Sequence, residues 1–346
     1  MKNKLGGMIL KAVISAHSGI EGLEVRDIPV DEKLGPHDVR MKVHAFGLNW
    51  RDYFKMTRIP WCRENPIPGS DASGEVVAVG EEVTRFKVGD KVITSDYAGW
   101  YDGLLTPEKE SQGLDLCFGV DGCMREYFTM HENGFVRMPE HLTWEEAGVM
   151  STTFGTSFNA VVVQGQVSFG QTVLIEGTGG LSTASIAFAK ASGARVIVMG
   201  KVQSGLDKAL EIGADEVINT NDYPEWSKRV LELTNGVGAD VSIDILGKAS
   251  LDQCMLATRQ NGTVVLEANL TGGTGTFNMA VPLKNQLTLK GMRVASTKMM
   301  EQMVTGMELF NIKPAIDSVY DLDHVKDAFQ RMVDGVEFGK VCVKVC

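Results

Sequence analysis

The stretch Val173–Ser182, VLIEGTGGLS, decides how this chain is read. An apolar run enters Gly177, Thr178, Gly179, Gly180, Leu181 and Ser182. A helical pattern, STASIAFAKASGA, follows, and a second apolar run covers Arg195–Met199. Strand, glycine turn, helix and strand make a βαβ unit with a phosphate-binding turn at its first corner. Gly177 permits the tight turn, Gly179 lets a pyrophosphate approach the backbone, and Ser182 is small enough for helix and strand to pack. The free N–H groups of the new helix face the anion. Alone the glycine pattern is weak evidence; the strand before it and the helix after it make it a dinucleotide site.

Downstream the alternation continues. Apolar runs at Val173–Ile175, Val196–Met199, Glu216–Ile218, Val241–Ile245 and Thr263–Glu267 are strands. Helical patterns intervene at Thr183–Ser192, Leu206–Ile212, Trp226–Thr234 and Ser250–Thr258. Such a series is a doubly wound parallel sheet over about Thr172–Leu289, an α/β fold. Upstream, short strands at Ile9–Ser15, Leu23–Ile28, Val39–Phe46, Gly74–Val79 and Lys91–Thr94 suggest a barrel-like β domain. A helix spans Glu145 to about Val163, with Thr143 as its N-cap. Ser95–Gly122 has no period and reads as a long surface lobe. Two helices, Lys298–Phe310 and Asp323–Asp334, and a strand, Lys340–Val345, close the chain.

The length of 346 residues suggests about two domains. A formal net charge of -10 argues against nucleic acid and anionic membranes as partners, because both are held by clustered Lys and Arg. No apolar run approaches a membrane span, and Lys11 interrupts the first one, so no signal peptide is read and a cytoplasmic location is expected. The six cysteines, Cys62, Cys117, Cys123, Cys254, Cys342 and Cys346, are scattered. That suits free thiols in a reducing compartment.

The order of motifs resembles the medium-chain dehydrogenase/reductase superfamily, and within it the zinc-independent quinone oxidoreductase-like and zinc-type alcohol dehydrogenase-like members. The markers are Gly47-Leu48-Asn49-Trp50-Arg51-Asp52, Pro68-Gly69-Ser70-Asp71-Ala72-Ser73-Gly74-Glu75-Val76, Val88-Gly89-Asp90-Lys91-Val92, the glycine turn, Leu210-Glu211-Ile212-Gly213-Ala214-Asp215 and Phe338-Gly339-Lys340-Val341. The resemblance implies a GroES-like catalytic domain at 8–150, a Rossmann cofactor domain at 151–290, and a tail at 291–346 that returns to the first. It also implies a cleft between the domains, a small-molecule substrate, and a homodimer or tetramer.

Alcohol dehydrogenases of that superfamily hold a catalytic zinc with a Cys, a His and a second Cys. The matching positions here are Asn49, Ser70 and Thr152, none of them an ordinary zinc ligand. The lobe offers only Cys117 and Cys123, too few for a four-cysteine structural site. A different site assembled from His44, Cys62 and His131 is the remaining alternative. No metal is expected. Without a Lewis acid, acceptors that are already activated, such as quinones, enones and enals, fit better than simple alcohols.

A nicotinamide domain that prefers NAD places an acidic residue about 20 positions after its first glycine. Gly200 stands there, 23 residues after Gly177, and Lys201, Gln203 and Ser204 follow. Glycine removes the carboxylate that repels a 2′-phosphate, and Lys201 supplies a cation, so NADP(H) is the expected cofactor. Lys201 also reads as a solvated loop lysine.

By resemblance, Asn49, Arg51, Asp52 and Tyr53 border the nicotinamide and substrate. Asn49 suits a donor to a carbonyl and Tyr53 a proton donor to an enolate. An Arg51–Asp52 ion pair with a packed Tyr53 is the structural alternative. Thr156 matches a threonine against the nicotinamide, and Lys340 a lysine near the cofactor phosphates. A helix cap and a surface lysine are the alternatives. Asp244 and Asn269 end strands on the ligand side of the sheet. Trp50, Trp61 and Trp100 line a pocket or pack a core. The chain therefore reads as an NADPH-dependent, zinc-independent quinone or enoyl reductase. A zinc-independent alcohol dehydrogenase or carbonyl reductase, and a non-catalytic NADPH-binding protein, are the alternatives.

Overall fold

The computed structural model describes residues 9–30, 33–57, 64–113, 121–335 and 338–346. It forms two compact units. The first comprises Met1–Gly155, Ala295–Val336 and Lys340–Cys346, the second Thr156–Val294 and Glu337–Gly339. Among the described residues no helix is long and apolar enough to cross a membrane.

The first unit is built on Asp38–Gly47, whose alternating residues Val39, Met41, Val43 and Ala45 are all buried. A mixed seven-stranded sheet forms around it. Its order is Ile316–Asp321, Lys340–Lys344, Asp38–Gly47, Asp71–Val79, Lys91–Thr94 and Phe135–Arg137, with Tyr127–His131 also paired to Asp38–Gly47. Only Ile316–Asp321 and Lys340–Lys344 run parallel; every other described pairing in the sheet is antiparallel. Ile9–Ser15 and Leu23–Pro29 make a separate antiparallel pair. The core gathers Met41, Phe46, Met124, Phe128, Phe135 and Phe329.

The single helix expected over Glu145–Val163 is instead three pieces: Trp144–Gly148, Ser151–Phe158 and a π-helical turn at Asn159–Gln164. Thr143 does cap the first, in a full capping box with Glu146. The break follows from tertiary contact. A side chain on Gly47 would stand 2.7 Å from the Val149 Cα, and one on Gly148 would stand 2.9 Å from the Ala45 carbonyl oxygen. The helix end is pressed against the strand there. The next helix starts where the Asp71 carboxylate accepts the Thr152 N–H at 2.6 Å.

The second unit is a six-stranded parallel sheet in the order Glu216–Asn219, Arg195–Gly200, Thr172–Glu176, Ala239–Asp244, Thr258–Leu266 and Thr288–Gly291. The short last strand is additional to the five read from the sequence. The chain winds one way from Thr172–Glu176 and the other way from Ala239–Asp244. Ligands of such sheets bind beyond the carboxyl ends of the strands at that reversal, here Glu176-Gly177 and Asp244-Ile245.

Candidate functional site

In the second unit, Gly177 adopts φ +77°, the left-handed conformation that favours glycine, and its N–H donates to the Met199 carbonyl at 2.6 Å. The Ser182 hydroxyl donates to the Glu176 carbonyl at 2.6 Å and closes the turn from within. A side chain on Gly179 would meet nothing within 4 Å, so open space lies against the backbone there. The 12-residue helix Gly180–Ala191 begins at that point with no side-chain cap. Open space facing uncapped N–H groups fits the pyrophosphate of a dinucleotide. The Thr178 carbonyl accepts the Gly339 N–H at 3.1 Å, and the Leu181 carbonyl accepts the Ser157 hydroxyl at 2.9 Å. Thr156 is buried on the helix beside Ser157.

Gly200 ends its strand beside the turn. A Cβ there would lie 3.3 Å from Leu206 and 3.9 Å from the Gly177 Cα. Lys201 is exposed. The Gln203 amide is committed to its neighbours, donating to Asp207 at 2.8 Å and accepting from Asn219 at 3.0 Å. Asn269 is exposed and lines a cavity of about 460 Å³ with Asp244, Lys248, Phe277 and Arg293.

Three carboxyls lie at the strand ends of this unit. Glu176 accepts the N–H groups of Ile245 and Leu246 at 2.9 and 3.0 Å and the Ser250 hydroxyl at 3.2 Å. Burial, then the Asp244 charge, push Glu176 up to about 8. Asp244, raised by burial, accepts from Gly247 N–H and Ser250. Glu267 accepts the Ser157 hydroxyl at 2.7 Å, and burial pushes it up to about 8. The runs VLIE and VVLE carry Glu176 and Glu267, neither of which is among the candidate site residues read from the sequence, whereas Asp244 is.

In the first unit, the Lys340 ammonium donates to the Leu48 carbonyl and to Asn49 Oδ1, both at 2.6 Å, and lies 3.6 Å from Asp71. It is buried, which lowers its pKa against the opposing pull of Asp71 and Asp52. Lys340 was expected at the cofactor phosphates; the structure commits its donors to acceptors inside this unit. An ammonium can only donate, so the atom of Asn49 that faces it is the oxygen, and Nδ2 is turned to Ser70 Oγ at 3.3 Å. Ser70 in turn donates to Asp52 at 3.3 Å. Burial first, against the Arg51 charge and with that of Asp71, pushes Asp52 up to about 6.

Thr152 joins the same group through Asp71, and its hydroxyl donates to Asp96 at 3.2 Å. Arg51 pairs with Asp96, and its charge also acts on the neighbouring Asp52. Tyr53 packs edge-on against Trp50 with ring centroids 5.8 Å apart, and its hydroxyl makes no hydrogen bond among the described residues. Trp100 is buried and donates to the Gly103 carbonyl. Trp61, Cys62 and Cys117 lie outside the described residues.

The positions that hold zinc in the resembling alcohol dehydrogenases are an amide and two hydroxyls here: Asn49 bonds the Lys340 ammonium and Ser70, and Thr152 bonds Asp71, which lies 3.6 Å from that ammonium. Such a set offers neither thiolate nor imidazole, and its cation repels a second one. The residues do not fit zinc. His44 stacks on Trp144 and His131 caps the turn at Asn133, and no group of three acidic, His or Cys side chains suited to a metal occurs among the described residues.

Comparison with known proteins agrees with both units. Residues 35–140 match the alcohol dehydrogenase GroES-like domain, and residues 180–308 match the zinc-binding dehydrogenase domain. A zinc-type alcohol dehydrogenase-like protein of Schizosaccharomyces pombe is 31% identical over 95% of this chain and 96% of its own. Human quinone oxidoreductase is 24% identical over 95% of this chain and 96% of its own. Among solved structures, an NAD-dependent alcohol dehydrogenase superposes with a TM-score of 0.87 at 31% identity, covering 97% of this chain and 100% of that one. A crotonyl-CoA carboxylase/reductase superposes with a TM-score of 0.88 at 26% identity, covering 97% and 88%. With a glycine turn shaped for a dinucleotide and relatives matched along nearly its whole length, this chain belongs to the medium-chain dehydrogenase/reductase superfamily and is an oxidoreductase that uses a nicotinamide cofactor.

Proposed function

We propose that the protein is an NADPH-dependent, zinc-independent reductase that passes hydride to a quinone or an α,β-unsaturated carbonyl. The observation that carries this reading is the hydrogen-bond chain that runs from Lys340 through Asn49 to Ser70, at positions where a zinc-dependent relative would hold its metal. A centre with hydrogen-bond donors and no Lewis acid suits acceptors whose oxygen needs only a donor. Similarity to a quinone oxidoreductase and to a crotonyl-CoA carboxylase/reductase supports the same substrate class.

When bound, the reduced nicotinamide supplies the hydride. Asn49 places one Nδ2 hydrogen on Ser70 and holds the other for the oxygen on which negative charge develops. Ser70 passes its own hydrogen to Asp52, which keeps the chain of donors pointing one way. Tyr53 or water returns a proton to the reduced product. NADPH is preferred because Gly200 brings no carboxylate to the 2′-phosphate and Lys201 brings a charge. One such contact contributes roughly 1.5–3 kcal/mol. A homodimer and a cytoplasmic location belong to the same proposal, the first read by light scattering at twice the chain mass.

The test is loss of reduced-nicotinamide absorbance against a panel of quinones, enones, enals, aldehydes and ketones, with NADPH and NADH side by side, and metal analysis of the same sample. The expected result is turnover of quinones or enones, at least tenfold better with NADPH, with no stoichiometric zinc. Tight NADPH binding without oxidation by any acceptor, or about one zinc per chain, would overturn the reading.

A further inference from the structure

Lys340 is a buried cation whose cost needs a reason. Moving an ammonium out of water is unfavourable by several kcal/mol, and an apolar side chain of similar size commonly packs as well or better. Only 5% of Lys340 is exposed, and its donors go to a main-chain carbonyl and to the oxygen of one amide. The ion pair with Asp71 is looser, at 3.6 Å, and Asp71 already accepts the Thr152 N–H at 2.6 Å. The short contact with Asn49 is the one that distinguishes this lysine from a structural charge.

We propose that Lys340 is a positioning residue of the reaction centre: its ammonium holds Asn49 Oδ1 at 2.6 Å, so that the Asn49 amide is locked with Nδ2 as a polarised donor toward a substrate oxygen. Three features converge on this. The amide has two orientations of nearly equal shape, and a donor-only partner on one side permits a single one. A charged donor on the carbonyl draws electron density from the amide and strengthens its N–H groups. Asn49 makes one Nδ2 hydrogen bond among the described residues, to Ser70, and Nδ2 carries two hydrogens. The internal ammonium therefore acts on the acceptor through one amide, at the place where related dehydrogenases use a metal. The proposal rests on the reductase reading given above.

The test compares wild type, Lys340→Met and Lys340→Gln, together with Asn49→Ala and Lys340→Met/Asn49→Ala. For a positioning role, Lys340→Met lowers kcat about 100-fold with KM for NADPH within twofold, Lys340→Gln recovers part of the loss, and the double variant loses no more than Asn49→Ala. A KM for NADPH that rises tenfold with kcat retained would assign the lysine to the cofactor phosphates and overturn the proposal. So would additive losses in the double variant. If the wild type turns over no acceptor, the reductase reading fails by itself, and the side-chain amide of Asn49 still decides this one by 15N NMR. Protected, shifted Nδ2 hydrogens in wild type that lose protection in Lys340→Met support the lock. Nδ2 hydrogens that exchange freely in wild type overturn it, even if neither variant folds.

Discussion

Glu176 and Asp244 end two neighbouring strands of the parallel sheet, and each keeps one buried oxygen, Oε1 and Oδ2, with no hydrogen-bond partner among the described residues. Burial and the like charge beside it favour keeping a proton on this pair of carboxyls. Burial, then the Asp244 charge, raise Glu176 from 4.5 to about 8. Between those values the folded chain keeps a proton that the unfolded chain releases, so stability is full below about pH 4.5 and falls as pH climbs to about 8. Glu176→Gln removes the titrating carboxyl and leaves a neutral group of the same shape. The expected outcome is an unfolding free energy that declines less between pH 5 and 8 than in wild type, by an amount of the order of a few kcal/mol, seen as a flatter fall of the melting temperature. A decline of unchanged steepness in thermal melts would count against a proton retained on Glu176.

Asp52 sits at the far end of the donor chain that starts at Lys340. Its carboxyl is raised from 3.8 to about 6, chiefly by burial. Protonation below that value removes the anion that accepts from Ser70. Acceptor-dependent oxidation of NADPH should therefore rise with pH along a limb centred near 6. Asp52→Asn should be about 10-fold slower at pH 7.5 and should lack the limb. Rates measured from pH 5 to 9 decide it.

The proposed preference for NADPH can be tested at Gly200. A Cβ added there comes closest to a terminal methyl of Leu206 at 3.3 Å, and the nearest main-chain atom, the Gly177 Cα, is 3.9 Å away, so a Cβ needs only a small shift of Leu206. Gly200→Asp should lower kcat/KM for NADPH by 10- to 100-fold and raise it for NADH. Lys201→Ala should weaken NADPH about tenfold and leave NADH unchanged. Paired kinetics with the two cofactors give the answer, and equal losses for both would remove Lys201 from the 2′-phosphate.

The capping box at Thr143 gives a prediction free of function. Thr143 accepts the Glu146 N–H at 3.2 Å, and Glu146 accepts the Thr143 N–H at 2.8 Å. Thr143→Ala should cost about 1 kcal/mol in denaturant unfolding, with the slope unchanged.

Much of the fold was open to reading because its signals are local. The alternation VRMKVHAF marks the strand Asp38–Gly47, and the glycine turn with its flanking runs marks the second unit. What escaped was short or distant. Phe135–Arg137 and Thr288–Gly291 have too few residues to show a period. The break after Gly148 depends on a strand that lies about a hundred residues earlier. Asn49 and Asp52 were singled out by their motif, and the structure does place them in one network. Lys340 was placed elsewhere, because the partners that bury its ammonium stand 292 and 291 positions away along the chain. A motif names such a residue without saying what it touches.

Ser182 turns its hydroxyl inward to the Glu176 carbonyl. The turn therefore offers a bound anion main-chain hydrogens at its helix start, and these survive a change of side chain. Tolerance to mutation in this loop should follow size and backbone freedom, not polarity. Ser182→Ala keeps the hold on phosphate, whereas a proline at 180 or 181 deletes a donor outright.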